Sequence, residues 1–101
     1  SWAVTTLSPL WQLVFALWFI LALPLIEEAF FRGLLFNSLS QFMSPANALA
    51  IQALLFFLAH NEHGLQAQIL ALGLITGYLY RRTGSLWPAV AAHATWNVLT
   101  L

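Results

Sequence analysis

The sequence predicts an all-α fold: a multi-pass transmembrane bundle of four to five helices around a polar active-site cavity inside the membrane. Three observations carry this. First, 61% of the 101 residues are hydrophobic and 6% are charged, against roughly 45–50% and ~25% in soluble domains, so three basic and three acidic side chains are too few to cover a water-facing exterior. Second, the apolar stretches are continuous and separated by turn signals, without the short alternating strands of a barrel. In lipid only helices or closed barrels satisfy their own backbone groups. Third, Glu27, Glu28 and Arg32 interrupt two long uncharged runs, from Ser1 to Ile26 and from Gly33 to Asn61. An ionised side chain in such a setting costs several kcal/mol unless it has a partner or a task.

The elements follow in order. A first helix is expected from Pro9 to Leu23, rich in Trp, Phe and Leu. Pro24 then kinks or restarts it, because its ring removes a backbone donor and clashes with the preceding turn. A second helix runs from Leu25 to Phe42 with the paired acids in its first turns. Ser44 and Pro45 read as N-cap and first helical position of a third, which extends from Ala46 to His60 and stops at the polar turn Asn61-Glu62-His63-Gly64. The fourth spans Leu65 to Tyr80 and ends in Arg81-Arg82-Thr83-Gly84. Its roughly 16 apolar residues are short of the ~20 that cross a bilayer, a difference that snorkelling arginines and local thinning can make up. Gly73 and Gly77 form a G-x-x-x-G that allows a neighbouring backbone to come close. A last helix begins near Ser85, with Pro88 in its first turn, and carries His93 and Asn97.

No repeat, low-complexity tract or linker interrupts the chain, so residues 1–101 are expected to form one domain, excised from a longer membrane protein. The formal net charge is zero, and no basic patch is present to meet nucleic-acid phosphates. Without cysteine, disulfides, thiolate catalysis and Cys-based metal sites are excluded together. The opening segment lacks the basic n-region of a signal peptide.

Three helices bring polar groups of catalytic type. Glu28 and Arg32 are four apart on one helix face in the favourable acid-before-base order, whereas Glu27 is turned about 100° away. Arg32 thus compensates Glu28 and leaves Glu27 to face something else. Phe56 and His60 are again four apart, with His60 at the end of a long apolar helix. His63 and Glu62 read as solvated turn residues. His93 and Asn97 form a further pair on one stripe of an apolar helix, and buried polar groups there need hydrogen-bond partners. The expectation is one intramembrane cavity into which all three helices project.

Glu27-Glu28-Ala-Phe-Phe-Arg32 matches E-E-x-x-x-R, Phe56-Phe-Leu-Ala-His60 matches F-x-x-x-H, and His93-Ala-Thr-Trp-Asn97 matches H-x-x-x-N. In that order, over about seventy residues, the three motifs resemble the CPBP family of intramembrane proteases, which includes the type II CAAX prenyl endopeptidases, the bacteriocin-processing and immunity proteins and the Abi proteins. The resemblance runs from Pro24 to Asn97 with no departure at a motif position. It implies hydrolysis of a peptide bond in a membrane-associated peptide or protein. The family's roles imply that Glu27 and His60 activate water, that His93 and Asn97 stabilise the oxyanion, and that Glu28 and Arg32 support the site.

The chemistry is coherent beside the resemblance: a positioned base contributes about 10²–10⁴-fold and an oxyanion donor about 10²–10³-fold. No cofactor is then required. The alternative is a zinc protease with Glu27, His60 and His93 as ligands, although H-E-x-x-H is absent. A non-enzymatic membrane scaffold or bacteriocin-immunity protein is a third reading, one with no need for Asn97. The lipid bilayer is the expected surrounding and a bacterial cytoplasmic membrane the expected location, with Arg81 and Arg82 on the cytoplasmic side.

Overall fold

The computed structural model describes residues 6–60 and 66–100, and among these residues it is helical with no strand. Helix α1 runs continuously from Pro9 to Leu39. Ser8 caps it, its side chain accepting from the Trp11 N–H at 3.4 Å, with Pro9 in the first turn. Pro24 therefore neither ends nor restarts the helix, and Glu27 and Glu28 lie in its middle rather than in a first turn. The helix absorbs the proline by widening: residues Trp18–Ala22 take the π-helical form, and Ala29–Phe36 take it again just after the paired acids. A wider turn moves backbone bonds to the i→i+5 register, so a missing N–H at one position need not break the rod.

Helix α2 spans Pro45–Ala59, with Ser44 as N-cap accepting from Asn47 N–H at 3.2 Å and Pro45 at the start. Helix α3 covers Ala67–Thr83, three residues past the expected end, so Arg81 and Arg82 lie in its last turn. Gly84 follows at φ +69°, a left-handed C-cap that an L side chain adopts only with strain. Helix α4 is Leu86–Thr100. The expected turn at residues 61–64, with His63 and Glu62, lies outside the described residues.

The helices alternate in direction. Antiparallel α2 and α3 meet at the glycines: a Cβ at Gly73 would lie 3.2 Å from the Ala53 Cα, and one at Gly77 only 2.6 Å from Leu49 Cδ1. The far end of α1 meets the far end of α3, where Asn37 Nδ2 donates to the Tyr80 hydroxyl at 2.7 Å. Residues 40–44 and 84–85 thus share one end of the bundle, and His60 lies toward the other.

Packing is inverted relative to a soluble protein. The largest fully buried side chains include Arg32, Glu28, Gln52 and Thr76 alongside Phe56, while Leu10, Trp18, Leu34, Ile75 and Trp87 are exposed. Such an exterior suits a hydrocarbon solvent rather than water. Of the described helices, α1 alone is long and apolar enough by itself to cross a membrane, and α2 is a shorter apolar helix.

Candidate active site

The paired acids divide as helix geometry requires. Glu28 is wholly buried, its Oε1 3.2 Å from Nε of the equally buried Arg32. The neighbouring Glu27 turns instead to a cavity of about 870 Å³. Arg32 Nη2 continues inward, donating to the Gly73 carbonyl at 3.2 Å and to the Thr76 hydroxyl. Gln52 Nε2 reaches the same carbonyl at 3.1 Å. The guanidinium also sits 4.6 Å from the centre of the Phe56 ring, within cation–π range.

Glu28 does more than balance Arg32. Its Oε2 accepts from Nδ1 of His93 at 2.7 Å, across 65 residues of sequence. A carboxylate only accepts, so Nδ1 carries the proton and the ring orientation is fixed. The opposite nitrogen, Nε2, then faces Glu27 Oε1 at 4.0 Å.

His60 caps α2. Its backbone N–H turns to the Phe57 carbonyl, which leaves the Phe56 carbonyl to the ring, and Nδ1 donates to it at 2.6 Å. Nε2 faces the Glu27 carboxylate in direct contact. Asn97 sits one turn beyond His93, is 6% exposed, and donates through Nδ2 to the Phe19 carbonyl at 2.8 Å. Glu27, His60, His93 and Asn97 all line the one cavity, whose other walls include Phe31, Trp96 and Leu72. The four residues expected to converge do so.

Phe56 is the hub of the arrangement. Its ring stacks obliquely on His60 at 4.2 Å, meets His93 edge-on at 5.7 Å and Phe31 edge-on at 5.1 Å. By spacing alone Phe56 is only a motif partner of His60, and the sequence does not mark Gln52 and Thr76 as members of the site. Single polar residues at helical positions among Leu, Ile and Ala were the available signal. Among the described residues, no three His, Asp or Glu side chains are grouped as a ready-made metal site.

The family model described as Rce1-like, type II CAAX prenyl endopeptidase, matches residues 9–99. The chain belongs to this family. The Rce1-like family is one of membrane-embedded proteases, and the match spans all four helices of the bundle. No curated protein and no solved structure matches the chain. In this Rce1-like chain the three sequence motifs lie on α1, α2 and α4, while α3 contributes the Gly73 carbonyl and the Thr76 hydroxyl that receive the buried arginine.

Proposed function

We propose that this protein is a multi-pass intramembrane endopeptidase that hydrolyses a peptide bond of a membrane-associated peptide or protein, without an essential metal. The observation that carries the reading is the meeting of Glu27, His60, His93 and Asn97, from three helices, in one cavity with otherwise largely apolar walls. Membership of a protease family supports the reaction class.

Proton placement gives the residues their roles. The Phe56 carbonyl can only accept, so His60 Nδ1 bears a proton; contact between His60 Nε2 and the Glu27 carboxyl then requires one more proton on the pair. Glu27 as carboxylate takes a proton from water while the water oxygen attacks the scissile carbonyl carbon. Negative charge moves to the carbonyl oxygen, where Asn97 donates through its second amide N–H and His93 donates through Nε2 in its imidazolium form. Collapse breaks the C–N bond, and His60 passes its Nε2 proton to the leaving amine. The largely apolar walls lower the local dielectric, which strengthens each of these interactions.

Cleavage of a reporter peptide in liposomes by metal-analysed protein tests the reading. Glu27→Gln is expected to abolish turnover, Asn97→Ala to lower it about 10²–10³-fold, and prolonged chelation to leave the wild-type rate intact. Activity lost to a chelator and restored by zinc alone would overturn the metal-free mechanism; cleavage undiminished in both variants would overturn the site.

A further inference from the structure

The bond that holds Asn97 comes from a defect in α1. In a regular α-helix the Phe19 carbonyl would accept from the N–H of Leu23, four residues on. Leu23 donates instead to Trp18, five residues back, because Trp18–Ala22 are π-helical. In that register the donor for Phe19 is residue 24, and residue 24 is proline, which has no N–H. The Phe19 carbonyl is thus left without a backbone partner on its own helix. A carbonyl in this state on an apolar, half-buried stretch of helix needs a donor from elsewhere, and Asn97 Nδ2 supplies it from α4 at 2.8 Å.

The consequence reaches Asn97 itself. A carbonyl oxygen cannot donate, so the NH₂ end of the amide is the end turned to Phe19, which fixes which way the side chain faces. One N–H of that nitrogen is consumed and the other remains for the cavity that Asn97 lines together with Glu27, His60 and His93. His60 is aimed by the same means, through the Phe56 carbonyl that its own backbone N–H has vacated.

We propose that Pro24 is a positioning residue for the hydrolytic reaction: by denying the Phe19 carbonyl its helical donor, it leaves that carbonyl to orient the Asn97 amide toward the oxygen of the scissile bond. The inference rests on the oxyanion role assigned to Asn97. Pro24 is buried and touches no reacting atom; it acts through the backbone of the turn before it. Its replacement by alanine restores an N–H at residue 24, so Phe19 can be satisfied within α1 and Asn97 is released.

The test is a double-mutant cycle in liposomes, with kcat and KM of reporter-peptide cleavage measured for wild type, Pro24→Ala, Asn97→Ala and the double variant. The expected result is about a 10-fold or greater fall in kcat for Pro24→Ala with KM little changed, bounded by the ~10²–10³-fold loss from one oxyanion donor, and no further loss when Pro24→Ala is added to Asn97→Ala. A merely structural proline would give losses that multiply in the double variant, which overturns the proposal. Wild-type kcat in Pro24→Ala with Asn97→Ala impaired overturns it while sparing the oxyanion reading. Wild-type kcat in Asn97→Ala removes that reading and the proposal with it. Should Pro24→Ala fail to fold, nitrogen-15 spectra of Asn-labelled wild-type protein decide the matter, with the Asn97 resonances assigned by their loss in Asn97→Ala. One side-chain amide proton of Asn97 is expected to be shifted downfield and protected from exchange relative to that of exposed Asn47; two equivalent, rapidly exchanging protons overturn the proposal.

Discussion

Glu28 is ion-paired with Arg32 on one side and hydrogen-bonded to His93 on the other, and this makes it the residue on which stability and chemistry meet. Removing Arg32 leaves the carboxylate without its cation in a fully buried position, a change that typically costs about 3–5 kcal/mol. Arg32→Ala is therefore expected to give little folded protein in detergent, checked by size exclusion and thermal unfolding; normal yield and stability would contradict the pairing. Replacing both partners at once, Glu28→Leu with Arg32→Met, removes the buried charges together and is expected to recover part of the folded yield. Turnover is not expected to return, because His93 Nδ1 then has no acceptor to fix its ring. Phe56 supplies a second test at this scale. Phe56→Ala removes the ring that touches Arg32, His60 and His93, with an expected loss of about 3–5 kcal/mol in stability and a fall in turnover in whatever protein remains folded.

At the scale of helices, the decisive contact is the antiparallel crossing of α2 over α3. Gly77 lies where a Cβ would run into Gln52 Nε2 and stand 2.6 Å from Leu49 Cδ1, and Gln52 is the buried side chain that shares the Gly73 carbonyl with Arg32. Gly77→Ala is expected to push α2 away, disturb the arginine's surroundings and lower the unfolding midpoint measured in detergent. Gly33→Ala serves as the comparison: its Cβ would meet only the Leu86 side chain, at 3.8 and 4.0 Å, which is ordinary contact, and alanine favours helix over glycine by up to about 1 kcal/mol. Equal effects of the two substitutions would show that the crossing is not tightly packed. Helix α1 illustrates a different principle, in that two π-helical stretches bracket the paired acids and let one 31-residue helix carry a proline without a break.

For the whole molecule, the alternating course of the helices puts residues 40–44 and 84–85 at one end and His60 near the other. Under the multi-pass reading, and with Arg81 and Arg82 in the last turn of α3, the first of these ends is expected to face the cytoplasm. The absence of cysteine makes this directly measurable, since single cysteines at exposed Gln41 and Gln66 need no other substitution. A membrane-impermeant thiol reagent applied to oriented vesicles is expected to label Gln41→Cys from the cytoplasmic face and Gln66→Cys from the opposite one. Labelling of both from a single side would overturn the spanning arrangement.

The sequence by itself determined whatever depends on the period of a helix. Four-residue spacing sufficed to pair Glu28 with Arg32, to turn Glu27 elsewhere, and to set His93 and Asn97 on one stripe; Ser44 and Pro45 announced the start of α2 because capping is local chemistry. Composition announced an apolar exterior, since so few charges leave no other. Tertiary structure alone decided the partners. Glu28 meets His93 across 65 residues and Asn97 meets Phe19 across 78, and no local pattern encodes which carbonyl or carboxylate a distant helix will bring. The same reason explains Pro24, read from sequence as a kink or a break: whether a helix stops at a proline depends on whether something else satisfies the carbonyl it strands, and here the donor comes from the other end of the chain. Gln52 and Thr76 became legible only when α3 lay against Arg32, for a polar side chain among leucines acquires its meaning from the group it faces.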